Sequence, residues 1–215
     1  PVILLFDEVI GHMREKLVIP EPGELPVVKR LRTSVKAGVD YHPYLPREDG
    51  RLPMSDFGGE HRYNVTGLFH DMWGFPTTNP TVVHALIHHL VDKIENHVNT
   101  ITRYKEYYLE DARTVLISYG GAARSALHII EKQRARGEQL GLLELQSLWP
   151  FPSQLVEEKC ANAQHIVVVE MNMGQISREV KRVNQGRCEV VTLNKVDGTL
   201  ITPLDILKVI KETYP

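Results

Sequence analysis

Hydrophobic and polar residues follow two different rhythms along this 215-residue chain. From residue 111 onward, short apolar runs alternate with amphipathic stretches. "RTVLISYG", "LGLLELQSL", "HIVVVEMN" and "CEVVTLNKV" predict strands. Between them, residues 121–136 predict a helix with Ala126, Ile129 and Ile130 on one side, and "PSQLVEEKCANA" predicts a shorter one. Residues 174–185 predict another, with Ile176, Val180 and Val183 on a shared face. A last helix begins at Thr202-Pro203, where Thr202 and Asp205 have capping-box spacing. Strands alternating with helices in this way predict an α/β fold, a doubly wound and mostly parallel sheet with right-handed crossovers. Runs such as "IVVV", apolar on both faces, require helices on both sides of that sheet.

The first half has no such rhythm. "PVILLF" predicts a buried strand at residues 2–6 that runs into a helical turn over residues 7–16. Over residues 17–80, "PEPGELP", "YHPYLPREDGRLP" and "DFGGEHRYN" predict loop, and nine of the 13 prolines lie at or before Pro80. So long a stretch without regular structure is either functional or lies on a larger body. Asn79 then predicts an N-cap with Pro80 at the first helical position. Val83, Ile87, Leu90, Ile94, Val98 and Ile101 recur at three and four, which predicts one amphipathic helix over residues 80–109.

Composition narrows the functional classes. Apolar residues make up 42% and charged residues 24%, as in an ordinary chain with a core to bury. A formal charge of -2 gives no electrostatic drive toward nucleic acid. The longest apolar runs are too short to span a bilayer, and a cytoplasmic location is expected. Cys160 and Cys188 are the two cysteines, too few for a disulfide framework or an iron–sulfur cluster.

Five places carry candidate chemistry. Gly120-Gly121 and Gly174 each stand between a strand and a helix, where backbone amides bind phosphate or where glycine simply allows close packing. A dinucleotide fingerprint needs three glycines at fixed spacing, so packing is the simpler reading. His84 and His88 are four apart with His89 beside them, but the glutamate of a zinc helix motif is missing. Ordinary amphipathic or interface histidines account for them. In "GLFHDMWGFPTTNP", His70 and Asp71 place a titratable pair beside Trp73. The alternative there is an aspartate that caps a turn and a histidine that packs on Trp73. Finally, Asp7, Glu8, His12 and Arg14 crowd the carboxyl end of the first predicted strand. That is where parallel α/β sheets bind ligands, unless these groups form structural ion pairs.

Taken in order, "PVILLFDEVIGHMREK", "YNVTGLFHDMWGFPT", "LQSLWPFP", "VVVEMNMGQISREVKRV" and "VVTLNKVDGTLITPLDIL" resemble the α subunit of 2-oxoacid:ferredoxin oxidoreductases, its 2-oxoglutarate branch in particular. The resemblance covers essentially the whole chain. It implies that residues 1–16 are the last strand and helix of a thiamine-diphosphate pyrimidine-binding domain, and that residues 17–80 are a long connecting segment. It further implies a linking amphipathic helix at 81–110 and a domain like the C-terminal domain of transketolase at 111–215. On this reading the chain is the tail of a larger subunit. The implied reaction is oxidative decarboxylation of a 2-oxoacid to an acyl-coenzyme A, with electrons passed to ferredoxin. Thiamine diphosphate with magnesium is implied to sit mainly on missing chain and a β subunit, and iron–sulfur clusters in β or small γ and δ subunits. No cofactor is expected in this chain alone. His12, His70 and Asp71 become candidates near the substrate channel, and Arg14 a candidate clamp for the substrate carboxylate through its bidentate fork. Two other classes compete: a free-standing module binding a nucleotide or acyl carrier at the glycine turns, and a purely structural assembly domain.

Overall fold

A computed structural model describes residues 3–213 and divides them into two compact units: residues 3–15 with 98–213, and residues 16–97. The first unit contains α1 (Glu8–His12), α3 (Val98–Ile101), β1 (Tyr104–Tyr107), β2 (Thr114–Ser118), α4 (Gly120–Arg134) and β3 (Leu140–Leu145). It continues through α5 (Ser153–Lys159), β4 (His165–Glu170), α6 (Gln175–Asn184), β5 (Glu189–Asn194) and α7 (Pro203–Thr213). The helix α2 (Pro80–Glu95) belongs to the second unit.

The sheet has the strand order β1-β3-β2-β4-β5. Its four central and C-terminal strands run parallel, with Val115 opposite Gly141 and Ile166, and Val167 opposite Val191. Alternation within these strands sends side chains to both faces. Val115, Ile117, Ile166 and Val168 face one side and pack with Val156 of α5 and Ile176, Val180 and Val183 of α6. Leu116, Leu142, Val167 and Val169 face the other, with Ala126, Ile129 and Ile130 of α4 and Ile206 and Ile210 of α7. Each fully buried Leu or Ile contributes about 1.5–3 kcal/mol. The two-sided apolar strands therefore form the doubly wound α/β sheet that their sequence predicts.

Local signals also hold. Asn79 accepts from Thr81 N at 3.0 Å, and Pro80 starts α2. Asp205 Oδ2 accepts from Thr202 N at 2.8 Å while Thr202 Oγ1 accepts from Asp205 N at 3.2 Å, the reciprocal pair of a capping box at α7.

Two expectations are corrected. Ile3 to Phe6 form no strand: they are between 65% and 83% exposed, and no described strand pairs with them. An apolar run becomes a strand only where a neighbour completes its ladder. The predicted helix over 80–109 stops at Glu95. Its apolar period runs on, but Asn96, Asn99, Thr100 and Thr102 are weak helix formers, and only the four-residue α3 follows. Residues 104–107 instead make an antiparallel edge strand on β3, with Tyr104 opposite Leu145. The Tyr-rich run suits a half-exposed sheet edge.

The second unit is mostly irregular. Ser55 is its buried anchor: Tyr41 Oη accepts from Ser55 N and Tyr63 Oη donates to Ser55 O, both at 2.6 Å. Tyr41 packs on His61 with ring centres 4.3 Å apart. Rings and side-chain hydrogen bonds replace a ladder here.

Candidate functional site

Two strand-to-helix turns lie at the carboxyl end of the parallel sheet, and each is filled by an acid. At the first, Gly121 N donates to Asp7 Oδ2 at 2.5 Å. At the second, β4 ends in Glu170, which is fully buried. Glu170 Oε1 accepts from Ser177 N at 2.9 Å, and Oε2 accepts from Ile176 N at 3.0 Å and from Tyr119 Oη at 3.1 Å. Three donors surround an acceptor-only group, which is how a buried carboxylate is tolerated. Burial, then the charge of Glu170, holds the Tyr119 phenol well above its usual value. Asn172 extends the network: its Nδ2 donates to Tyr119 Oη, and its Oδ1 accepts from Gly174 N at 2.8 Å and Gln175 N at 3.1 Å. Gly174, at φ 88°, turns the chain into α6 in a conformation that favours glycine.

At the second turn the Gly174, Gln175, Ile176 and Ser177 amides are thus taken by Asn172 and Glu170, and at the first the Gly121 amide is taken by Asp7. The turns do not fit a diphosphate, and no chemical step through such a group follows from these residues. These contacts favour the packing reading of the turns over a nucleotide site. Sequence reasoning missed Glu170, Tyr119 and Asn172. The available signal was an acid closing the apolar run "IVVVE" immediately before a glycine turn.

The residues singled out by sequence fall in both units. His12 lies at the end of α1, exposed, with Nε2 3.7 Å from Glu8 Oε1 across one helical turn. Arg14 follows it, also exposed. In the second unit, His70 is buried, stacked on Tyr44 with ring centres 4.7 Å apart, and its Nε2 meets Thr66 Oγ1 at 3.0 Å. Asp71 Oδ1 accepts from Trp73 N and Phe75 N, both at 3.0 Å, so its carboxylate organises the turn that follows. Trp73 packs edge-on against His42 rather than His70, 5.7 Å between centres.

Other candidates resolve simply. His84 and His88 lie 4.2 Å apart on α2, and no cluster of three or more metal-ligating side chains occurs among the described residues. Both cysteines are free; burial pushes the Cys160 thiol up to about 12. No described helix is long and apolar enough to cross a membrane.

Comparison with known proteins places this architecture. The family described as pyruvate:ferredoxin oxidoreductase core domain II matches residues 112–206, which carry both filled turns. The 2-oxoglutarate synthase subunit KorA of Methanothermobacter thermautotrophicus is 39% identical over 98% of this chain and 55% of its own length. Over nearly its whole length the chain is similar to subunits of 2-oxoacid:ferredoxin oxidoreductases. Among these, the ketoisovalerate oxidoreductase subunit VorB of Methanothermobacter marburgensis is 30% identical over 99% of this chain and 52% of its own. The chain spans about half the length of the curated relatives it matches. A solved 2-oxoglutarate:ferredoxin oxidoreductase from Magnetococcus marinus shares the fold, with a TM-score of 0.76 at 20% identity over 90% of this chain and 34% of that one. These relatives are named as subunits.

Proposed function

We propose that this chain is part of the α subunit of a thiamine-diphosphate-dependent 2-oxoacid:ferredoxin oxidoreductase, with 2-oxoglutarate as the 2-oxoacid. The observation that carries this reading is the 39% identity to a 2-oxoglutarate synthase subunit over nearly the whole chain. The partners are a β subunit, small γ and δ subunits, and ferredoxin as electron acceptor, with coenzyme A taking the acyl group; the complex works in the cytoplasm. Thiamine diphosphate with magnesium and iron–sulfur clusters belong mainly to residues outside this chain. When bound, the thiamine cofactor supplies the carbon nucleophile and electron sink of decarboxylation, and the protein supplies position and electrostatics.

The part left to this chain is binding and shaping. Residues 1–16 close a pyrimidine-binding domain, 17–80 connect, 81–110 link, and 111–215 form a transketolase C-terminal-like domain. Arg14, which is exposed, clamps the substrate carboxylate through its bidentate fork, and His12 supplies a hydrogen bond beside it. His70 and Asp71 shape the channel wall, since His70 is fixed by Tyr44 and Thr66 and Asp71 holds the adjoining turn. The test uses the full-length subunit assembled with its partners, measuring 2-oxoglutarate- and coenzyme-A-dependent reduction of ferredoxin. Arg14→Ala is expected to raise KM for 2-oxoglutarate about tenfold or more, the scale of one charge-assisted contact. His70→Ala is expected to lower kcat. Unchanged kinetics in both variants would retire these residue roles, and preference for a branched 2-oxoacid would retire the substrate.

A further inference from the structure

The helix α4 begins without help from its own residues. Its N-cap Tyr119 makes no side-chain hydrogen bond to the helix, and its first turn has no acid. The missing acceptor comes from 114 positions away, where Asp7 Oδ2 takes the Gly121 amide. Asp7 is itself the N-cap residue of α1, in extended backbone, the place from which an aspartate ordinarily caps its own helix. It makes no such bond; its carboxylate serves α4 instead. A second link lies one turn further along α4, where Arg124 Nη2 donates to Glu15 Oε1 at 2.9 Å. Positions 121 and 124 share a helix face, so both links run along one side of α4. Five residues long and with none buried, α1 is far too short to persist by itself.

We propose that Asp7 is a positioning residue that fastens residues 7–15, and with them His12 and Arg14, to the N-terminus of α4, and that position 121 is glycine to admit it. A Cβ at Gly121 would lie 2.7 Å from Asp7 Oδ2 and 3.6 Å from Ile10 Cδ1. Gly121 lacks the left-handed backbone of Gly120 (φ 59°), so the carboxylate, not backbone strain, excludes a side chain there. The kinetic consequence rests on the roles proposed above for His12 and Arg14; the docking does not.

Hydrogen exchange read by mass spectrometry on this chain tests the docking with Asp7→Ala, Gly121→Ala and the double variant, alongside thermal melting. Each single change should speed exchange across residues 3–15 by about tenfold, the scale of a lost cap, while peptides from β2 and β4 stay as slow as before. The double variant should add nothing, because both changes remove one interaction. Unaltered protection of residues 3–15 in Asp7→Ala would overturn the proposal, as would additive effects in the double. Should Gly121→Ala unfold the domain, Asp7→Ala alone decides. In the assembled enzyme, Asp7→Ala should lower kcat/KM, and Asp7→Asn, which keeps an acceptor oxygen, should restore part of it. A released segment with unchanged kinetics would overturn the positioning role and count against His12 and Arg14, leaving the proposed subunit assignment untouched.

Discussion

Glu170 is the residue on which the carboxyl end of the sheet is built. It lies between two glycine-bearing turns and collects donors from Tyr119, Ile176 and Ser177. Removing it leaves two amides and a phenol without their buried acceptor. Glu170→Ala is therefore expected to cost about 3 kcal/mol or more, against about 1 kcal/mol for Tyr119→Phe, which loses only the hydroxyl bonds. Denaturant midpoints measure both, and equal losses would contradict the central place given to the carboxylate. The sequence shows the acid at the strand end but not its role. A glutamate is ordinarily exposed, and its donor Tyr119 lies 51 positions away. His70 and Asp71 were easier to find than to interpret. The loop is conspicuous in aromatic content, yet the packing that separates His70 from Trp73 depends on Tyr44 and His42.

At the scale of elements, signals confined to a few residues read reliably. The capping box at α7 needs only Thr202 and Asp205, three apart, and both reciprocal bonds form. It also carries a pH dependence. The Thr202 amide and then its hydroxyl hold the Asp205 carboxyl below the usual carboxylate range. Folding thus gains stability that is present above the ordinary carboxylate pKa of about 4 and lost as pH falls through the lower folded value. Asp205→Asn should lower Tm at pH 7 and match the unaltered chain near pH 2, about two units below that ordinary pKa, as circular dichroism melts will show. A difference that persists in strong acid would contradict this origin. Elements whose identity depends on a partner read less well. The apolar period from Val83 to Ile101 promises one helix, whereas pairing with β3 takes residues 104–107 into a strand. Ile3 to Phe6 have the composition of a buried strand and no ladder to join.

For the whole molecule, the proposed subunit role has a consequence for cofactor binding, because the amides at the two turns are engaged by Asp7, Asn172 and Glu170. Titration calorimetry of this chain with thiamine diphosphate, ADP and coenzyme A should show no tight binding, with thiamine diphosphate binding recovered in the assembled full-length complex. Tight binding of ADP to the chain alone would favour a nucleotide module over an enzyme subunit. The amino-acid sequence by itself determined the element order from residue 111, the parallel class of the sheet, the burial of both its faces and the caps at Asn79 and Thr202. Those follow from side-chain periodicity and from hydrogen bonds spanning two or three residues. Tertiary structure alone decided the strand order, the antiparallel edge at β1, and which distant residues meet: Asp7 with the start of α4 and Tyr119 with Glu170. A ladder or a cap joins whichever donor and acceptor the packed core brings within 3 Å, and local sequence does not encode that choice across 51 or 114 positions.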